Sequence, residues 1–182
     1  MIFRETPVAG AWIVEPERHL DDRGFFARTW CATEFARHGL SPRLVQASVS
    51  YNYRRGTLRG LHYQVAPHAE AKLVRCIRGA MYDVAVDLRP ESPTFRRHVA
   101  VVLDANNRLA LYVPEGCAHG FQTLADHTEV LYQMSAVYAP EAARGVRWDD
   151  PAFAISWPPA DRIIAERDRR YPDFSEHDVV AR

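Results

Sequence analysis

Long apolar runs are missing from this chain. No stretch approaches the twenty or so uncharged residues a membrane-spanning helix needs, and the opening Met1-Ile-Phe-Arg-Glu5 has no apolar leader segment, so neither a membrane anchor nor export is expected. Cysteine is scarce: Cys31, Cys76 and Cys117 are odd in number and show no CxxC spacing. A disulfide framework or zinc knuckle is therefore not expected, and a reducing cytoplasm fits better. Net charge is also missing. Lys plus Arg and Asp plus Glu both total 23, which leaves no global field to draw in nucleic acid or a membrane surface. The short basic pairs Arg54-Arg55 and Arg96-Arg97 read as solvated surface. Repeats, low-complexity tracts and linker-like shifts are absent, so residues 1–182 read as a single domain large enough for a sizeable core.

Helical periodicity is rare as well. The segment Thr33-Glu-Phe-Ala-Arg-His-Gly39 reads as one short helix with Thr33 as N-cap and Gly39 past its end, and Asp161–Asp168 as a second. Short β-type runs broken by Gly, Pro, Asn and Asp dominate instead. The expected strands are Trp12–Val14, Phe25–Thr29, Leu44–Ser50, Thr57–Gln64, Lys72–Arg78, Met81–Leu88, His98–Leu103, Leu109–Val113, Cys117–Thr123 and Thr128–Ser135. Such spacing predicts an all-β barrel or jelly roll with a few peripheral helices, whose ligand cavity is lined by alternate residues of several strands. In Met81–Leu88, alternation sets Tyr82, Val84, Val86 and Leu88 on one face and Met81, Asp83, Ala85 and Asp87 on the other. The two aspartates suit either solvent or a polar cavity.

Two segments carry the residues most suited to chemistry. Gly56-Thr-Leu-Arg59-Gly60-Leu-His62-Tyr-Gln64 and Pro114-Glu-Gly116-Cys-Ala-His119-Gly-Phe each set a histidine in a strand-like run beside glycines. Taken alone, such a histidine is more often a satisfied core residue. Glycine inside a strand often marks a bulge or the close approach of another group. Strict alternation puts Arg59 and His62 on opposite faces, so both can serve one cavity only if the strand bulges near Gly60.

Pro114-x-Gly116-x-x-His119 resembles the second motif of the cupin superfamily, a jelly-roll barrel. Where many cupins hold a metal through His-x-His, this chain reads His62-Tyr63-Gln64, and an amide is a poor transition-metal ligand. A more specific resemblance covers essentially the whole chain. Asp22-Arg23-Gly24-Phe25-Phe26, Val45-Gln46 with Ser50, Leu58–Gln64, Lys72-Leu73-Val74-Arg75, Asp83–Arg89 with Ser92-Pro93-Thr94-Phe95, Pro114–Phe121, Tyr132, Tyr138 and Trp148-Asp149-Asp150-Pro151 occur in order. This series is similar to that of the dTDP-4-dehydrorhamnose 3,5-epimerase family.

The resemblance implies a cytoplasmic homodimer of cupin barrels that needs no cofactor or metal. Its substrate would be a nucleoside-diphosphate 4-keto-6-deoxyhexose in deoxysugar biosynthesis. It further implies His62 as base, Asp168 as the carboxylate orienting it, Tyr132 as acid and Lys72 beside the enolate oxygen. Arg59, His119 and Arg23 would meet the diphosphate. Phe26, Arg28, Gln46, Ser48, Tyr138 and Arg167 fall at the remaining binding positions. Three departures bear on binding: an acidic position is Arg28, an asparagine is Ser48, and Ser-x-Lys-Asp is Ala165-Glu-Arg167-Asp168. Arg28 could donate to cytosine where a carboxylate would accept from thymine, so a CDP-linked sugar is an alternative to a dTDP-linked one. Epimerisation at C3 alone is another alternative. A metal-dependent cupin enzyme and a non-catalytic sugar-nucleotide binding module are the rival classes.

Overall fold

The computed structural model describes residues 1–175. Fourteen strands form in this region: β1 (Ile2–Glu5), β2 (Trp12–Glu15), β3 (Arg18–Asp21), β4 (Gly24–Ala27), β5 (Gln46–Asn52), β6 (Thr57–Gln64), β7 (Lys72–Arg78), β8 (Ala80–Asp87), β9 (His98–Asp104), β10 (Ala110–Val113), β11 (Cys117–Thr123), β12 (Thr128–Met134), β13 (Ala143–Gly145) and β14 (Ile163–Ile164), with helices α1 (Ala32–Arg37) and α2 (Glu166–Arg169). All ten expected strands are present, within about two residues at each end. The four others are two to four residues long, and β3 is fully exposed Arg-His-Leu-Asp. Such segments are too short to show a period.

Two sheets face each other as a jelly roll. One runs β1-β2-β10-β7-β12-β5 and the other β13-β6-β11-β8-β9, with β14 parallel to the start of β6 and β3–β4 forming a separate hairpin. The layer between them buries Val74, Cys76, Met81, Ala85, Leu103, Leu111, Val113, Phe121 and Val130. Removing a side chain the size of Phe121 from water contributes roughly 2–3 kcal/mol, so this layer makes a large contribution to stability. The Val84, Val86 and Leu88 face of β8 points outward yet is just as buried, because Phe153, Trp157 and Phe174 of the returning C-terminal segment cover it. Both aspartates on the inward face of β8 are fully buried. Solvent is therefore not their environment.

Two helix expectations need correction. Helix α1 starts after Cys31, which has extended backbone and gives no side-chain cap, so Thr33 is not the N-cap; the helix does end at His38, just before Gly39. A six-residue helix is marginal alone. This one is held by Phe35, buried among Val14, Leu40, Leu73 and Tyr112. The second helix is shorter than Asp161–Asp168. Its first half is drawn instead into β14, where Ile163 and Ile164 pair with Thr57 and Leu58 of β6, and only α2 is helical.

Candidate active site

Strand β6 bulges near Gly60, as a cavity shared by Arg59 and His62 requires. His119 of β11 pairs with His62 and Phe121 with Arg59, so between these pairs two residues of β6, Gly60 and Leu61, stand opposite one of β11, Gly120. That extra residue returns both Arg59 and His62 to the inward face. Gly60 makes the bulge possible. Its φ is +120°, and a Cβ there would stand 2.7 Å from the Gly120 Cα and 2.8 Å from the His119 carbonyl oxygen. Only glycine fits that approach.

The inward residues of both sheets line a two-lobed cavity. A lobe of about 630 Å³ is lined by Ser50, Arg59, His119 and the β14–α2 strap, among others, and a lobe of about 330 Å³ by Gln46, Ser48, Glu70, Tyr138 and Arg144, among others. His62, Lys72, Tyr132 and Arg167 border both. Alternation along β5 explains its share, since Gln46, Ser48 and Ser50 face in while Val49 and Tyr51 face out. His62 comes from β6 of one sheet and Tyr132 from β12 of the other. They therefore approach the cavity from opposite walls.

His62 donates from Nε2 to Oδ1 of Asp168 at 2.8 Å, and the Gly60 amide donates to Oδ2 at 3.1 Å. Asp168 is buried, and burial pushes its carboxyl up. The hydrogen bond and charge of His62, the Gly60 amide and the charge of Arg167 outweigh that and hold it below the usual carboxylate range. In the neutral imidazole, Nε2–H engaged in this way puts the lone pair on Nδ1, which makes no hydrogen bond among the described residues. Tyr171 packs edge-on against the imidazole, ring centroids 6.3 Å apart, and accepts from Arg167 Nε at 2.8 Å. Its ring occupies the space where a side chain at Gly145 would stand. Sequence reasoning passed over Tyr171 because nothing local marks it.

Tyr132 has no hydrogen bond to its hydroxyl among the described residues. Burial, then the nearby charge of Asp83, pushes its phenol far up, and Arg59 offsets only part of this. It stays a neutral donor across the physiological range. Its ring stands edge-on to His119 at 5.8 Å. His119 is buried and bonds Asp83 through Nε2 at 2.7 Å. Burial pushes the Asp83 carboxyl up against the opposing pull of His119 and Lys72, and its Oδ2 has no partner among the described residues. Lys72, also buried, gives one hydrogen bond to the His62 carbonyl at 3.0 Å and pairs with Glu70 at 3.2 Å.

The second β8 aspartate acts elsewhere. Asp87 accepts from Arg89, Ser92 and Thr94 and pins the loop after β8. Gln64, at the position where cupins place a metal-binding histidine, spends its amide on the His68 and Val137 carbonyls and the Ala139 amide. Among the described residues no three His, Cys, Asp or Glu side chains converge as a metal set. The donors present do not fit a cupin metal centre.

Thus His62, Lys72, Arg59, His119, Tyr132, Asp168, Gln46, Ser48, Tyr138 and Arg167 meet at one cavity. Arg23, Phe26 and Arg28 do not line either lobe of it. Arg23 pairs with Asp21 within the β3–β4 hairpin, Phe26 is 77% exposed, and Arg28 donates to Glu34 of α1 at 2.7 Å. The sequence shows which residue types a binding site uses, but not that Arg23 and Phe26 are carried away on a hairpin and Arg28 is tied to α1 just after it.

The profile of dTDP-4-dehydrorhamnose 3,5-epimerase matches residues 5–176. An enzyme of that name from Methanothermobacter thermautotrophicus is 43% identical, over 97% of this chain and 96% of its own. The crystal structure of the Elizabethkingia anophelis dTDP-4-dehydrorhamnose 3,5-epimerase superposes with a TM-score of 0.92 at 39% identity, covering 96% of each chain. The Bacillus anthracis enzyme, solved with TDP and pyrophosphate bound, gives 0.90 at 41%, covering 95% of this chain and 99% of that one. Sequence and fold agree along nearly the whole chain: it belongs to the dTDP-4-dehydrorhamnose 3,5-epimerase family.

Proposed function

We propose that this chain is an isomerase that inverts C3 and C5 of a dTDP-linked 4-keto-6-deoxyhexose in deoxysugar biosynthesis. The observation that carries the reading is His62, oriented by Asp168, facing a cavity from one sheet while Tyr132 and Lys72 face it from the other. C3 and C5 both flank the C4 ketone. Nδ1 of His62 takes the proton from carbon, and the electron pair moves onto the C4 oxygen as an enolate. The ammonium of Lys72 stabilises that oxygen. The Tyr132 phenol then delivers a proton to the opposite face of the same carbon, inverting it. The tyrosinate and imidazolium left behind reset through solvent. Arg59 and Arg167 supply positive charge for the diphosphate; His119, expected there from the resemblance, is buried, bonded to Asp83 and edge-on to Tyr132, which suits the sugar end instead.

Arg28 does not support the CDP-linked alternative, because its guanidinium is tied to Glu34 outside the cavity. Incubating dTDP-4-keto-6-deoxyglucose with the protein in heavy water and reading the product by NMR tests the activity. Deuterium at C3 and C5 is the expected result. Deuterium at C3 alone makes the enzyme a C3 epimerase, and none at either carbon, with CDP-linked sugar no better, overturns the reading.

Homodimer formation belongs to the same proposal. Leu20 is 80% and Phe26 77% exposed on the hairpin, and Val49 is 57% exposed on the outer face of edge strand β5. Apolar surface of this kind on edge elements invites pairing. We place the enzyme in the cytoplasm, in keeping with three unpaired cysteines and with no membrane-crossing helix among the described residues.

A further inference from the structure

The side chain of Arg59 is exposed and long, and a guanidinium on such a stem samples many rotamers unless something holds it. Asn52, the last residue of β5, is 1% exposed. Its Nδ2 donates to the Thr128 carbonyl at 3.1 Å and to the Ser50 carbonyl at 3.3 Å. Both are acceptors only, so the amide has one orientation open to it: nitrogen toward those carbonyls, oxygen toward Arg59. Nε of Arg59 donates to that oxygen at 2.8 Å. The bond runs from β5 of one sheet to β6 of the other, and its acceptor is fixed before Arg59 arrives. Tying Nε leaves the two Nη groups without a partner among the described residues, on the wall of the larger lobe. Two parallel N–H donors in that position match the oxygens of a phosphate.

We propose that Asn52 is a positioning residue for substrate recognition, holding Arg59 so that its Nη fork meets the diphosphate. The proposal rests on the assignment of Arg59 to the diphosphate made above. An amide is suited to this place where a carboxylate is not, because a carboxylate would set an oxygen against the two carbonyls that Nδ2 now satisfies. Loss of the Nε bond frees the fork to wander and weakens anion binding while leaving the proton-transfer residues in place.

The test uses Asn52→Ala, Arg59→Ala and the double variant, with dTDP and inorganic pyrophosphate as binding probes and steady-state kinetics on the dTDP-linked keto sugar. Asn52→Ala is expected to raise KM and the dTDP and pyrophosphate Kd roughly three- to tenfold, with kcat within twofold. In the Arg59→Ala background it should add less than twofold, since the residue through which it acts is gone. Additive losses, or an unchanged KM in Asn52→Ala when Arg59→Ala weakens binding, overturn the proposal. If Arg59→Ala itself leaves dTDP and pyrophosphate affinity unchanged, the diphosphate assignment of Arg59 fails instead, and the proposal falls with it. Should Asn52→Ala fail to fold because Thr128 loses its partner, Asn52→Ser replaces it. That side chain keeps a polar group in the pocket but is too short to reach Nε.

Discussion

Replacing Asp168 by asparagine tests the catalytic arrangement most directly. Asp168 accepts two hydrogen bonds, one on each oxygen, from His62 Nε2 and from the Gly60 amide. Asparagine offers one acceptor and one donor. The Gly60 amide cannot give up its proton, so the asparagine oxygen must stay with it and the NH₂ group must face His62. Nε2 then becomes the acceptor, the ring proton moves to Nδ1, and the lone pair needed at the cavity is lost. Two effects combine. Losing a hydrogen bond to a charged group costs about 1.5–3 kcal/mol, which is roughly a 10- to 150-fold loss at about 1.4 kcal/mol per decade. The inverted tautomer adds to this, and a comparable Asp-to-Asn change in a serine protease triad lowers kcat by about 10⁴. Asp168→Asn should therefore lower kcat by about 10²–10⁴ and leave KM within a few-fold. The assay is initial-rate kinetics alongside deuterium wash-in at C3 and C5, both of which should fall together. A variant within threefold of wild type in kcat, or one with full wash-in, would refute the assignment of base and orienter. Stability provides an independent check. The Asp168 carboxyl lies below its usual range in the folded protein, so its contribution is present above the unfolded value near pH 4 and is lost as pH falls through the folded one. The gap in denaturant midpoint between wild type and Asp168→Asn should open with rising pH up to about 4–5 and stay level beyond.

Three further outcomes are expected. Tyr132→Phe should lower kcat by roughly 10²–10⁴ with little change in KM, and ultraviolet titration should lose no tyrosinate signal below about pH 10, because Tyr132 stays protonated there; a lost signal would contradict its burial. Gly60→Ala meets backbone at 2.7–2.8 Å with φ at +120° and should cost about 2–4 kcal/mol, seen as a Tm lowered by roughly 5–15 °C, together with loss of activity as the bulge closes. Phe26→Asp should convert a dimer to a monomer in light scattering, and dimerisation that survives with unchanged affinity would mean that the hairpin is not at the interface.

Much of the fold was legible in the sequence because strand signals are local. Thr57–Gln64, Lys72–Arg78 and Cys117–Thr123 are long enough for turn residues at both ends and apolar content between them to fix their limits. The segment 161–168 misled because its helical composition was overridden by β6, whose free edge captured Ile163 and Ile164. Cys31 outranked Thr33 as the helix start because packing of Phe35 set where the turn began. Both are tertiary effects on short segments, where local preference is weak.

The sequence by itself determined the chemical parts: a β-rich chain without a membrane helix, no His-x-His pair, a glycine-flanked His62, and an ordered series of motifs that identified its relatives. It also set a condition: side-chain alternation lets Arg59 and His62 share one cavity only if the strand bulges near Gly60. Only the tertiary structure decided which polar groups meet. It joined His62 to Asp168 across 106 residues of chain and set Tyr132 on the opposite sheet. It also divided two equivalent-looking aspartates of β8 between a histidine and a loop, carried Arg23 and Phe26 away on a hairpin, and tied Arg28 to α1. The physical reason is range: periodicity reports the face a residue occupies on its own strand, while hydrogen-bond partners depend on which strands the topology makes neighbours.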